Sequence, residues 1–113
     1  MTIVYSQERF AALVNEFQEQ EDKILNWKAG EYTQGVDRIQ NFRQVAQWMQ
    51  QKPSEVALCY LMKHVQSITI AVYTGKFAWA WETPGGEGLK QRVADIRNYL
   101  LLLAACLDEE AAE

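Results

Sequence analysis

A chain of 113 residues is long enough for one compact domain and too short for two, with hydrophobic residues at 49% and charged residues at 23%. Those fractions exclude a disordered or low-complexity chain. The net charge of −4 argues against a general nucleic-acid binder, which needs several Lys and Arg contacts to phosphates.

The charge is unevenly placed. Residues 1–35 hold six acids and three bases, residues 36–97 five acids and eight bases, and residues 98–113 four acids and no base. The locally basic middle suits a small anionic ligand, while Asp108 to Glu113 reads as a solvated, frayed acidic tail. The longest unbroken apolar run, Tyr99 to Leu107, is nine residues, which predicts no bilayer crossing. MTIVYSQERF lacks the pattern of a secretory signal. Two cysteines, Cys59 and Cys106, without a CxxC, predict reduced thiols in a cytoplasm.

In chain order, Ser6 predicts the cap of a helix to about Lys28, with Phe10, Leu13, Val14, Phe17, Ile24 and Trp27 at helical spacing. Ala29-Gly30 predicts its end. A second helix is expected from about Asp37 to Gln51, with Ile39, Phe42, Val45, Ala46 and Met49 on one face. Lys52-Pro53-Ser54 breaks the chain, since proline disfavours helix before itself and suits the first turn of the next one. A third helix should run from Ser54 or Glu55 to Thr74. Its β-branched second half also suits a strand, but Leu61, Val65, Ile68 and Val72 keep the 3.6-residue period, and Gly75 predicts the stop.

KFAWAWETPGGEG should be irregular or briefly extended, with Gly85-Gly86 a turn. The last helix is expected from Leu89 to Leu107, its stripe formed by Leu89, Val93, Ile96, Leu100, Leu103 and Leu107. The expected fold is a single all-α, four-helix-bundle-like domain over residues 1–113 with a Trp-rich loop before the last helix. The second half of the last helix is apolar almost all round, which calls for a central position or for cover by a second subunit in a homodimer.

Helical projection places two charges at apolar arcs: Arg38 between Val45 and Met49, and Asp95 between Leu102 and Cys106. Buried charges need partners, so the two are candidates for one another or for a charged ligand. A register-fixing ion pair leaves the same trace as a ligand site. His64, the one histidine, sits at an apolar edge with Tyr60 one turn before it. A residue so placed is more often a satisfied boundary side chain than a ligand, and Lys63 beside it points to the polar side. One histidine excludes multi-histidine metal sites within a chain. No glycine-rich phosphate loop follows a strand. Asp95 and Asn98 at i, i+3, and Asp37 and Asn41 at i, i+4, are oxygen pairs of the kind that hold Mg²⁺ beside a triphosphate. The paired ExxE-type motifs of helical nucleotide pyrophosphatases are absent. Trp79 and Trp81 could stack on a base, though packing in the core or an interface is the first expectation for them.

Three blocks are familiar in combination: G-x-D-R-I-x-N-F at Gly35 to Phe42, S-E-V-A-L-x-Y-L-x-K-H at Ser54 to His64, and R-V-x-D-I-x-N-Y-L-L-L-L at Arg92 to Leu103. Over residues 30–105 the chain resembles the nucleotide-modification-associated domain family, small helical proteins encoded by phages and prophages. The shared positions are Gly35, Asp37, Arg38, Asn41, Phe42, Tyr60, Lys63, His64, Arg92, Asp95, Asn98 and Tyr99. The Trp-rich loop departs from the family pattern, where a shorter acidic segment is usual. The resemblance implies a link to nucleotides in phage infection, and the expected site is a nucleotide-type ligand with Arg38, Lys63 and His64 facing phosphate, Asp37, Asn41, Asp95 and Asn98 supplying hydrogen bonds or a Mg²⁺ site, and Arg92, Tyr99, Trp79 and Trp81 as further ligand-binding candidates. Sequestration of a nucleotide signal, Mg²⁺-dependent pyrophosphohydrolysis and a purely structural or protein-binding module are the three functions to be weighed.

Overall fold

Ser6 starts the first helix as expected: its Oγ accepts from the Arg9 amide at 3.1 Å, satisfying one of the unpaired donors of a helix start. The structure, a computed structural model, describes residues 4–32 and 37–112, with the backbone alone for 24–32. Helix α1 (Gln7–Tyr32) passes through Gly30 instead of ending there. One glycine in a helix costs only about 1 kcal/mol against alanine and stops nothing by itself. The side chains of Ile24 and Trp27, and Gly35, lie outside the described residues.

Helix α2 (Gln40–Met49) begins three residues later than predicted. Asp37 accepts the Ile39 amide at 3.1 Å, and this side-chain turn replaces the first helical turn. Gln50 ends α2 in the left-handed region, φ 55°. Helix α3 (Pro53–Thr74) follows the expected limits, with Pro53 in the first turn and Gly75, φ 68°, after the last. Its β-branched half is helical, with Ala71 buried against the rest of the chain as Leu61 is before it, and the hydroxyls of Thr69 and Thr74 are satisfied by the carbonyls of Val65 and Ile70, both at 2.8 Å.

The Trp-rich loop contains one short hairpin, β1 (Glu82–Thr83) against β2 (Gly86–Glu87). The turn between them uses Gly86 at φ 138°. The loop then folds back over the start of α4 (Leu89–Ala112). The Gly88, Leu89 and Lys90 amides donate to the carbonyls of Trp81, Ala78 and Ala80 at 2.9, 3.0 and 3.2 Å. Main chain thus caps the last helix, a role no side chain in the sequence announced. At Gly88 a Cβ would lie 1.9 Å from the Ala80 carbonyl oxygen, so only glycine fits.

The acidic end is not frayed. Helix α4 continues to Ala112, because its last carboxylates have partners. Glu109 pairs with the Arg43 guanidinium, which also donates to Asp37 at 2.9 Å. Glu110 accepts from Ser54 twice, from the amide at 3.1 Å and from the hydroxyl at 2.6 Å. The core lies between these ties: Ile39, Phe42, Ala46, Val56, Ala57 and Cys106, flanked by Val45, Tyr60, Tyr99, Leu102 and Leu103.

The buried side of α4 is therefore rotated from its leucine stripe. Leu89 is buried and Val93, Ile96 and Leu103 are half-buried, but Leu100 and Leu107 are exposed; Ala94, Asp95, Asn98 and Cys106 are buried instead. Small residues let α3 and α4 approach closely, which a row of leucines does not. Met49 is likewise exposed, since α2 ends there. The molecule extends 54 × 30 × 28 Å with a radius of gyration of 16.5 Å, against roughly 13 Å for a compact domain of about this size.

Gly88→Ala is expected to cost at least about 2 kcal/mol by forcing the Ala80 carbonyl away, measured by chemical denaturation. Glu110→Ala should cost about 1 to 2 kcal/mol, the worth of a lost helix cap; a solvated tail would give no change in the same measurement.

Candidate functional site

Helices α3 and α4 run antiparallel, and polar residues cross their otherwise apolar contact. On α4, Asp95 and Asn98 are 5% and 7% exposed. The Gln91 amide donates to Asp95 at 3.0 Å. Arg92 donates to the Ser67 hydroxyl at 2.6 Å. One turn before Ser67, the His64 ring stacks on Tyr99 with centroids 4.8 Å apart. Tyr60 meets Tyr99 edge-on at 6.3 Å, and Phe42 lies against both tyrosines. Lys63 holds its ammonium 5.6 Å from the centre of the Tyr60 ring.

This seam gathers five of the expected residues: His64, Arg92, Asp95, Asn98 and Tyr99, with Lys63 at its edge. The Asn98 carbonyl oxygen is buried without a hydrogen-bond partner among the described residues. A buried acceptor left so costs about 1 to 3 kcal/mol, and native proteins keep few of them. Ser67, Gln91 and Lys76 were not singled out from sequence. Ser67 alone carried a signal, standing three residues after His64.

Arg92 also faces a cleft of about 300 Å³ at the loop end of the seam, lined by Ala71, Lys76, Phe77, Thr83, Glu87 and Leu89 among others. That volume is at the small end of ligand sites. Two cations and one carboxylate line it.

Other expected residues are placed differently. Arg38 lies in the turn before α2 and is exposed, not within a buried arc of that helix; the projection fails because the helix has not begun. The turn is four residues before Phe42, which touches Tyr99. Asn41 is exposed. The Asp37 carboxylate holds the Ile39 amide and Arg43, so it does not join Asp95 and Asn98. No group of three or more His, Cys, Asp or Glu side chains with metal-binding geometry occurs among the described residues.

The tryptophans form a separate cluster against α1. Trp81 donates its indole N–H to Glu16 at 2.8 Å and its ring meets Phe17 at 4.9 Å. Lys90 binds the same Glu16 oxygen at 2.7 Å and lies 5.5 Å from the Trp79 ring centre. Arg97 pairs with the buried Glu21 at 2.9 Å. Trp79 and Trp81 thus pack α1 onto α4, away from His64 and Tyr99. Beneath them, Phe10, Leu13, Val14, Phe17, Val93 and Arg97 line an apolar cleft of about 170 Å³.

No protein-family model matches the chain, and no characterised protein or solved structure is significantly similar to it.

Hydrogen bonds from Lys90 and then Trp81 hold the Glu16 carboxyl below the usual carboxylate range. A depressed carboxyl contributes stability above its unfolded value and loses it as pH falls through the folded one. Acid titration of tryptophan fluorescence should therefore show a transition below the usual carboxylate range that is absent in Glu16→Gln.

Proposed function

We propose that the chain binds a small anionic ligand of the nucleotide class along the seam between α3 and α4. Arg92 and His64 face its phosphate from inside the seam and Lys63 from the rim, while Tyr99 offers an aromatic face to the base. Asp95 and Asn98 supply hydrogen bonds. The observation that carries this reading is the concentration of buried polar groups in one helix contact, including an Asn98 oxygen with an unused lone pair, next to a cleft that Arg92 lines. A buried acceptor such as that Asn98 oxygen is costly unless something binds it. The resemblance of its motifs to the phage and prophage nucleotide-modification-associated family supports the ligand class, and a sequestering role in the host cytoplasm is the form of the proposal we favour. In the enzymatic variant, Asp95 and Asn98 would present oxygens to a Mg²⁺ ion beside a polyphosphate, and product formation separates the two.

A panel of mononucleotides, cyclic nucleotides and dinucleotides, each with and without Mg²⁺, tests the proposal by thermal shift and product analysis. A ligand that binds only the folded chain stabilises it by about 2.7 kcal/mol at one hundred times its Kd. Arg92→Gln and His64→Gln are each expected to weaken binding about tenfold, the loss of one charge-assisted hydrogen bond. No shift with any nucleotide would remove the reading.

The second reading, a protein-interaction module, is favoured by one observation: α3 leaves a long apolar face uncovered.

A further inference from the structure

The cleft of about 300 Å³ at the loop end of the seam carries side chains that the seam itself does not use. Buried Ala71 and Leu89 line it, and Phe77, 53% exposed, adds an aromatic ring. Lys76 and Glu87, both exposed, bring opposite charges, yet neither forms an ion pair among the described residues. In the hairpin Glu87 stands opposite Glu82, and like charges so paired weaken a β-ladder. Strand pairing therefore gives Glu87 no structural reason. The walls are set before any ligand arrives. Gly75 at φ 68° ends α3 just before Lys76 and Phe77, and the Gly88 and Leu89 amides tie the loop to the carbonyls of Trp81 and Ala78. A preformed pocket spares a ligand the cost of ordering it.

Arg92 joins this cleft to the seam. It lies seven residues before Tyr99 on α4, about two turns or roughly 10 Å along the helix and within about 20° of the same direction. Its guanidinium has five donors; one side-chain bond reaches Ser67 at 2.6 Å, and the side chain also lines the cleft. From the seam into the cleft the order is thus aromatic ring, cation, aromatic ring: Tyr99, Arg92, Phe77. We infer that the ligand proposed above is a dinucleotide whose phosphodiester meets Arg92 and Lys76. One base lies on Tyr99; the other, a guanine, enters the cleft against Phe77 and Glu87. The inference rests on the nucleotide reading of the seam and adds the second base to it. Stacking tolerates any base, whereas a carboxylate only accepts hydrogen bonds and so discriminates. Guanine alone among the common bases presents two adjacent donors, its N1–H and its 2-amino group, which two carboxylate oxygens take in parallel. Adenine and cytosine set an acceptor nitrogen beside their amino group, and uracil flanks its N–H with two carbonyls. A cleft at the small end of ligand sites takes one base, not the whole ligand.

Titration calorimetry of the full chain with the dinucleoside monophosphates GpG, IpI and ApA, and with GMP and AMP, tests the inference. The symmetric probes remove any dependence on which end of the dinucleotide enters the cleft. GpG should bind at least about tenfold tighter than ApA, and tighter than IpI, whose hypoxanthine lacks the 2-amino group; one hydrogen bond to a charged acceptor is worth about that factor. GpG should also bind more tightly than GMP. Glu87→Gln should bring GpG to the level of ApA while leaving AMP affinity unchanged, and Phe77→Ala should weaken both dinucleotides about fivefold or more through lost stacking. Both substitutions alter exposed side chains, and unchanged helical circular dichroism checks that the variants fold. Equal affinity for GpG and ApA, a guanine preference that survives Glu87→Gln, or GMP binding as tightly as GpG would overturn the inference and leave the seam reading standing. Binding of none of the five probes would overturn both.

Discussion

Two adjacent carboxylates near the end of α4 set the geometry of most of the chain. Glu110 accepts both donors of Ser54 and so caps α3 from another helix; Glu109 holds Arg43 and through it Asp37, at the entrance to α2. Negative charge at the first turn of a helix is favourable for its dipole and for its unpaired amides together. Once α4 is fixed at the starts of α2 and α3, Cys106 is brought into the core beside Ala57. Burial there pushes its thiol up from the ordinary range, so it stays neutral and packs as a small apolar group.

The first helix is attached by other means. Phe17 is its one described residue both apolar and buried, with Leu13 and Val14 half-buried beside it; polar ties run through Glu16 to Lys90 and Trp81 and through Glu21 to Arg97. The Trp-rich loop therefore has two duties that share a few residues. Its carbonyls cap α4, and its indoles cover α1. A cluster that spends its aromatic faces on Phe17 and its N–H on Glu16 has a structural reason for its tryptophans, and on the far side of α4 the Asn98 carbonyl oxygen is buried without a hydrogen-bond partner among the described residues.

Elements were legible from sequence where a local rule decides them. Ser6, Pro53 and Gly75 marked helix ends because a cap, a ring or a left-handed residue acts within one turn. The 3.6-residue period carried α3 through its β-branched half, and it brought His64 and Asp95 to attention. Legibility failed where the deciding partner is far along the chain. The acidic tail looks solvated until Arg43 and Ser54 are seen beside it. The leucine stripe of α4 is the larger apolar surface, yet Ala94 and Cys106 face inward because close helix contact needs small side chains. Arg38 was misplaced because a side-chain turn at Asp37 consumed the first helical turn, and a projection drawn through it placed an exposed residue in an apolar arc. Lys76 enters the cleft only because the chain reverses at Gly75.

The bond from the Ser54 amide to Glu110 has a consequence for dynamics. Amides in the first turn of a helix ordinarily exchange with solvent through local fraying, since nothing within the helix holds them. Here the acceptor is a side-chain carboxylate 56 residues away in sequence, so protection of this amide requires α4 to lie beside α3. The first turn of α3 thereby becomes a local reporter of whether the last turns of the chain are docked.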